Sequence, residues 1–258
     1  MTLATSKLVV KGRPTEVLTT GQGEPLVFLH GGGIVEGFDC LEPLSDQFWL
    51  IAPLRPGYGG TDADPPLKSG AQVAGAIRDV LDELGVPRTV LVGHSLGGWL
   101  AANFTALFPE RVSELVLAAP FGMHVPDDPP ANMMAMSPAE RYAALTNRPE
   151  IWEGRVPSEP DPAFEAARAR ERESMTRFMP GPFDPELAGV VSQISAPSRL
   201  LWGADDRIIP VAHADKWHDA LPDASLTVFP ATGHLLFHER PEAVEAIGTF
   251  VRACRAAT

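Results

Sequence analysis

Only two cysteines occur in this 258-residue chain, Cys40 and Cys254, far apart and without CxxC or Cys/His spacing. Neither a disulfide framework nor a zinc site is suggested, and a reducing, cytoplasmic compartment fits that usage. Positive charge is also scarce, with 21 Lys and Arg against 33 Asp and Glu and a net charge of -12. A surface that neutralises nucleic-acid phosphates is therefore not expected, and the acidity reads as solubility. No run of 18 apolar residues is present, and the opening MTLATSKLVV lacks the apolar core of a signal peptide. Neither a targeting segment nor stable membrane association is expected. Histidines at His-Glu-x-x-His spacing are missing too, so no metal or other cofactor is called for. Glycine and proline are plentiful instead, 23 and 26 residues without a period, and serve loops around a core that the 45% apolar content can fill.

Short apolar runs recur at Leu26 to Leu29, Phe48 to Ala52, Thr89 to Val92, Leu115 to Ala119, Arg199 to Trp202 and Leu226 to Phe229. Continuous apolarity marks strands covered on both faces, as in a parallel sheet. Helix-period segments lie between them. One places Val73, Ile77, Val80, Leu81 and Leu84 on a stripe, with Ser69 at its start and Gly85 past its end. Others run from about Leu96 to Phe108 and onward from Pro241. The alternation predicts an α/β fold with a mostly parallel sheet. Lys7 to Lys11 and Thr15 to Thr20, around Gly12-Arg13-Pro14, predict an N-terminal antiparallel hairpin. The pattern breaks from Gly122 to Ser195, where Ser137-Pro138-Ala139-Glu140 is a capping box and Asp161-Pro162 and Asp184-Pro185 repeat the cap-then-proline start. The expected organisation is a core of residues 1–121 and 196–258 with a helical cap insertion at 122–195.

Gly93-His94-Ser95-Leu96-Gly97 follows the strand Thr89 to Val92 and opens the next helix. A nucleophilic serine on so tight a strand-to-helix turn needs glycine on both sides, because side chains there would meet the neighbouring elements. At this point the chain resembles the α/β-hydrolase superfamily from about Pro25 to the C-terminus, with the insertion poorly matched. The resemblance implies the α/β-hydrolase fold and Ser95 as nucleophile. His30-Gly31-Gly32-Gly33 is similar to the family's oxyanion loop, which implies the N–H groups of Gly32 and Leu96 as the oxyanion donors, with Gly33 second to Gly32 and beside the substrate. Trp202-Gly203-Ala204-Asp205-Asp206-Arg207-Ile208-Ile209-Pro210 resembles the acid loop, and the count from Gly203 implies Asp206 as the acid, with Asp205 a solvated neighbour. Thr232-Gly233-His234, followed by Glu239-Arg240-Pro241, resembles the histidine loop and implies His234 as the base. Ser95, Asp206 and His234 then stand in the chain order of this fold.

The remaining histidines take plainer readings. His30 and His94 brace the two glycine motifs, His213 and His218 lie on a helix among surface charges, and His238 is structural or surface. His124 is a pocket candidate. Phe121, Trp152, Phe178 and Leu235 are the expected substrate contacts, and Met133, Met134, Met136 and Met179 either line the pocket or pack.

Serine at position 95 argues against the aspartate-nucleophile dehalogenases and epoxide hydrolases of the superfamily. The expected reaction is hydrolysis of an ester, thioester or lactone of a small organic molecule through an acyl-enzyme. An alternative is carbon–carbon hydrolysis of β-diketone-like compounds, as in the meta-cleavage product hydrolases. Ile34 and Val35 after the glycines, His94 before the serine and Leu235 after the histidine depart from that branch. A slow-turnover receptor or a lyase on the same fold is a third reading. Leu54-Arg55-Pro56-Gly57-Tyr58-Gly59 departs from the family's usual Asp-x-Arg-Gly-x-Gly at Leu54. A homodimer is compatible with all of this.

Overall fold

The computed structural model describes residues 3–63, 67–179 and 181–256. Eight strands form one sheet: β1 (Ala4–Val10), β2 (Arg13–Thr20), β3 (Glu24–Leu29), β4 (Phe48–Pro53), β5 (Thr89–His94), β6 (Val112–Ala118), β7 (Ser198–Gly203) and β8 (Ala224–Phe229). Their spatial order is β1-β2-β4-β3-β5-β6-β7-β8. The pairs β1/β2 and β2/β4 are antiparallel, and every other pair is parallel.

The N-terminal hairpin turns tighter than the sequence suggests. Val10 pairs with Arg13, so the loop is Lys11-Gly12 alone, with φ of 49° and 81°. Two successive positive φ values match the right-handed twist of the strands, and glycine carries one of them without a Cβ clash. Pro14 is therefore inside β2, opposite Val9.

The helices are α1 (Gly70–Glu83), α2 (Leu96–Leu107), α3 (Pro138–Leu145), α4 (Pro162–Phe178), α5 (Leu187–Val191), α6 (Ala212–Ala220), α7 (Leu236–Glu239) and α8 (Pro241–Ala256). Ser69 caps α1 by accepting from the Gln72 N–H, and Gly85 follows its end at φ 69°. Ser137 and Glu140 form the reciprocal capping box of α3, and Asp161 accepts from the N–H groups of Ala163 and Phe164 at α4. Asp184 behaves differently. It holds the turn before α5 by accepting from the Glu186 N–H at 3.0 Å, while its other oxygen accepts from Trp99 Nε1 at 2.8 Å, and α5 starts only at Leu187.

The continuous apolar strands sort by alternation. Val27, Leu29, Leu91, Leu115, Leu117, Leu200 and Trp202 pack on one face with α1, α2, α5 and α6, while Leu26, Phe28, Val90, Val92, Val116, Ala118 and Leu201 pack on the other with α8. Both faces are dry, which is why the sequence shows no polar alternate. Between β6 and β7 lie α3, α4, α5 and a short 3-10 turn at Pro149–Trp152, without a strand among the described residues. Leu187 and Val191 of α5 are fully buried in the core layer. No helix among the described residues is long and apolar enough to cross a membrane.

The chain lays β4 on one side of β3 and then returns to lay β5 on the other. This reversal opens a crevice at the carboxyl ends of β3 and β5, where an open parallel sheet binds its ligands. Gly31 to Gly33 and Ser95 emerge there.

Candidate active site

Ser95 stands at the end of β5 with φ 55° and ψ −121°, a conformation that costs a non-glycine residue of the order of 1–3 kcal/mol. Neighbouring bonds hold it: the Ser95 N–H donates to Ala118 O at 2.9 Å, and Ser95 O accepts from the N–H groups of Gly98 and Phe121 at 2.9 and 3.0 Å. A Cβ on Gly97 would overlap the Leu29 and His30 carbonyl oxygens, and one on Gly93 would overlap the Gly97 carbonyl. Both glycines are thus required by close backbone approach, as the motif implies. The side chain of Ser95 is turned into a cavity of about 540 Å³ that His234 also lines.

His234 is buried, and its Nδ1 is 2.7 Å from Asp206 Oδ2. The other oxygen of Asp206 accepts from the N–H groups of Ile208 and Ile209 at 2.8 and 2.9 Å, so the carboxylate is fully engaged and fixed. Asp205, one residue earlier, is exposed and accepts from Asn147 Nδ2 at 3.0 Å instead. The register counted from Gly203 therefore places Asp206, not Asp205, against the histidine.

The loop after β3 is pinned from below. His30 O and Gly31 O accept from the two terminal nitrogens of buried Arg55, and Tyr58 OH donates to Gly32 O at 3.1 Å. The Arg55 N–H donates to His30 Nε2 at 3.3 Å, which leaves the proton on Nδ1, 3.0 Å from Gly31 O. Burial, and next the charge of Arg55, hold the His30 pKa well below the ordinary histidine value, so the ring is neutral. The N–H groups of Gly32 and Leu96 donate to no described residue, and both residues line the cavity with Ser95. His94 is also neutral, chiefly through burial, and its Nε2 sits 2.9 Å from His234 O. Both bracing histidines act as the sequence suggests.

Of the expected substrate contacts, Gly33, Phe121, Trp152 and Leu235 line the cavity, joined by Met133, Met134 and Met179. Phe178 does not. It is 5% exposed and stacks on Trp99 with ring centroids 6.4 Å apart, because the last turn of α4 turns it toward the α2 side of the core. Met136 is absent from the wall as well. His124 is exposed and stacks on Phe183 at 4.0 Å rather than entering the cavity. His213 is fully buried, on the inward face of α6 beside Trp217, with Nε2 2.8 Å from Asp128 O. The charged neighbours that suggested a surface position lie on the outer face of the helix.

Six charged wall residues escape a reading by motif: Glu36, Arg141, Glu165, Arg172, Arg168 and Glu171. Only the i, i+3 spacing of the last two, which brings Arg168 Nη2 to 2.6 Å from Glu171 Oε1, was available as a signal. Met175 completes the roof, with its sulfur over Gly32. No group of three or more metal-ligating side chains is gathered among the described residues.

A family model for the alpha/beta hydrolase family matches residues 26–247. The chain belongs to that family. Among its relatives is the pimeloyl-[acyl-carrier protein] methyl ester esterase of Nitrosomonas europaea, 32% identical over 248 residues that cover 87% of this chain and 94% of that one. Another is the 2-hydroxy-6-oxo-6-phenylhexa-2,4-dienoate hydrolase of Burkholderia cepacia, 29% identical over 244 residues, with 86% and 85% covered. The solved structure of the enzyme of the latter name from Rhodococcus shares the fold, with a TM-score of 0.80 at 20% identity over 97% of this chain and 99% of that one. Hydrolases of esters and of carbon–carbon bonds thus both stand among the relatives of this hydrolase-family chain.

Proposed function

We propose that the protein is a serine hydrolase that cleaves an ester, thioester or lactone of a small organic molecule through an acyl-enzyme. The observation that carries this reading is the buried Asp206–His234 pair, 2.7 Å apart, whose histidine lines the cavity into which the strained Ser95 opens. His234 takes the proton of Ser95 Oγ as the oxygen attacks the carbonyl carbon. The developing oxyanion receives hydrogen bonds from the free N–H groups of Gly32 and Leu96. Asp206 fixes the Nδ1–H tautomer and stabilises the imidazolium. The proton then passes to the leaving group, and a water molecule activated by His234 releases the acid.

Residues 122–195 act in this reading as a cap that shapes substrate choice, through Met133, Trp152 and Met179 in the cavity wall. Fluorophosphonate treatment followed by peptide mapping tests the nucleophile: label on Ser95 is expected, and active protein that takes none there refutes the mechanism. Activated short-chain esters should show burst kinetics, because deacylation is a separate step.

Carbon–carbon hydrolysis is the second reading, favoured by the names of relatives such as the Burkholderia dienoate hydrolase. Leu235 and His94, where that branch carries other residues, weigh against it. Comparing kcat/KM for esters, lactones and vinylogous β-diketones decides between them, with the oxygen esters expected to lead by at least about tenfold.

A further inference from the structure

One end of the cavity wall carries charges that neither the nucleophile nor the oxyanion donors use. Arg168 and Glu171 are a turn apart on α4 and form an ion pair at 2.6 Å. Two further nitrogens of Arg168, Nε and Nη1, are sealed from solvent without an acceptor. Buried donors are rarely left so, and an acceptor brought by a ligand would satisfy them. Glu36, on the loop after β3, borders the same cavity, and no other described residue donates to its carboxyl, which has only its own backbone N–H. Glu36 can therefore take a donor from a ligand, as Nε and Nη1 of Arg168 can take an acceptor.

The charge balance decides what can fill the gap. Arg141, Arg168 and Arg172 in the wall are matched by Glu36, Glu165 and Glu171. The guanidinium of Arg168 is already opposed by Glu171, so a substrate carboxylate entering here would be a further negative group beside Glu36 and Glu171. A neutral group that both accepts and donates meets Arg168 and Glu36 together.

We propose that Glu36, Arg168 and Glu171 form a substrate subsite for an uncharged donor–acceptor group, of the carboxamide type, on the acyl portion of the substrate. The proposal rests on the acyl-hydrolase reading for its place in the reaction, but its binding chemistry is independent of turnover. Burial raises both Glu36 and Glu171 to about 7, so each is increasingly protonated below neutrality. Protonation removes negative charge from the subsite, and the preference against a carboxylate weakens as pH falls. The groups that set this balance around Glu36 are Asp39 and Cys40 on its own loop, Arg155, Arg168 and Glu171 from the segment above, and His234 and His238 from the segment after β8.

Non-hydrolysable ketones of one length, 5-oxohexanamide, 5-oxohexanoate and 2-hexanone, test the subsite by isothermal titration calorimetry. At about pH 8.5, above both raised carboxyls, the amide should bind at least about tenfold more tightly than either of the others. Near pH 5.5 the carboxylate should close most of that gap. Glu36→Gln, of the same shape, should narrow the amide-to-carboxylate ratio at the higher pH at least about fivefold, and Arg168→Met should bring the amide down toward 2-hexanone. A carboxylate that binds as tightly as the amide at the higher pH, or ratios that neither substitution moves, would overturn the proposal. The hydrolase reading fails separately, through absent labelling of Ser95 or absent turnover of the corresponding 4-nitrophenyl esters.

Discussion

The Nη2 of Arg55 lies 2.5 Å from the carbonyl oxygen of Gly31, and this contact aims the peptide that carries the Gly32 N–H. In a trans peptide the C=O and N–H point in opposite directions, so drawing Gly31 O down onto a buried guanidinium turns the Gly32 N–H up toward the cavity. Tyr58 does the same for the next peptide through Gly32 O.

Arg55→Met should therefore lower kcat by about 10- to 100-fold while KM changes little, since an oxyanion donor acts in the transition state. Arg55→Lys should recover part of the loss. Equal losses in kcat and KM, or a fall that tracks the melting temperature of each variant, would assign Arg55 to the fold alone.

Asp206→Asn should cost about 10⁴ in kcat, because it leaves His234 without the acceptor that fixes its tautomer. Asp205→Asn, which touches only the exposed Asn147 contact, should stay within about threefold of the parent. Single-turnover kinetics on the pair gives the comparison, and a crippled Asp205→Asn enzyme would contradict the geometry.

Trp152→Ala and Phe178→Ala should part company. Trp152 lines the cavity, so its loss should change the ratio of kcat/KM between short and long acyl esters. Phe178 packs on Trp99, and its truncation should cost about 3–5 kcal/mol of stability in denaturant unfolding with that ratio preserved. A specificity change in Phe178→Ala without lost stability would return it to the pocket.

Gly97→Ala should be poorly tolerated, since the added carbon meets two backbone carbonyls at the end of β3 rather than a movable side chain. A loss of at least about 2–3 kcal/mol is expected by chemical denaturation. Gly33→Ala, whose Cβ meets nothing within 4 Å, is the control and should remain close to the parent in stability.

Local rules made much of this protein legible in its sequence. The runs that became β3 to β8, the Ser69 and Ser137 caps, and the glycines around Ser95 depend on neighbours within a few residues, where backbone sterics and hydrogen bonding leave few choices. The order Ser95, Asp206, His234 could be read because each stands in a loop directly after a strand. Burial and facing were another matter. The turn at Lys11-Gly12 was fixed by pairing register, and the inward faces of α4 and α6 sent both Phe178, expected in the pocket, and His213, expected at the surface from its charged neighbours, into the core. Glu36 and Arg168 lie 132 residues apart in the chain. Only the reversal of strand order at β3 and β5, with α4 laid over it, brings their side chains to one cavity, and only there does low dielectric make a carboxyl with no donor from another residue and a guanidinium with two unmatched nitrogens consequential.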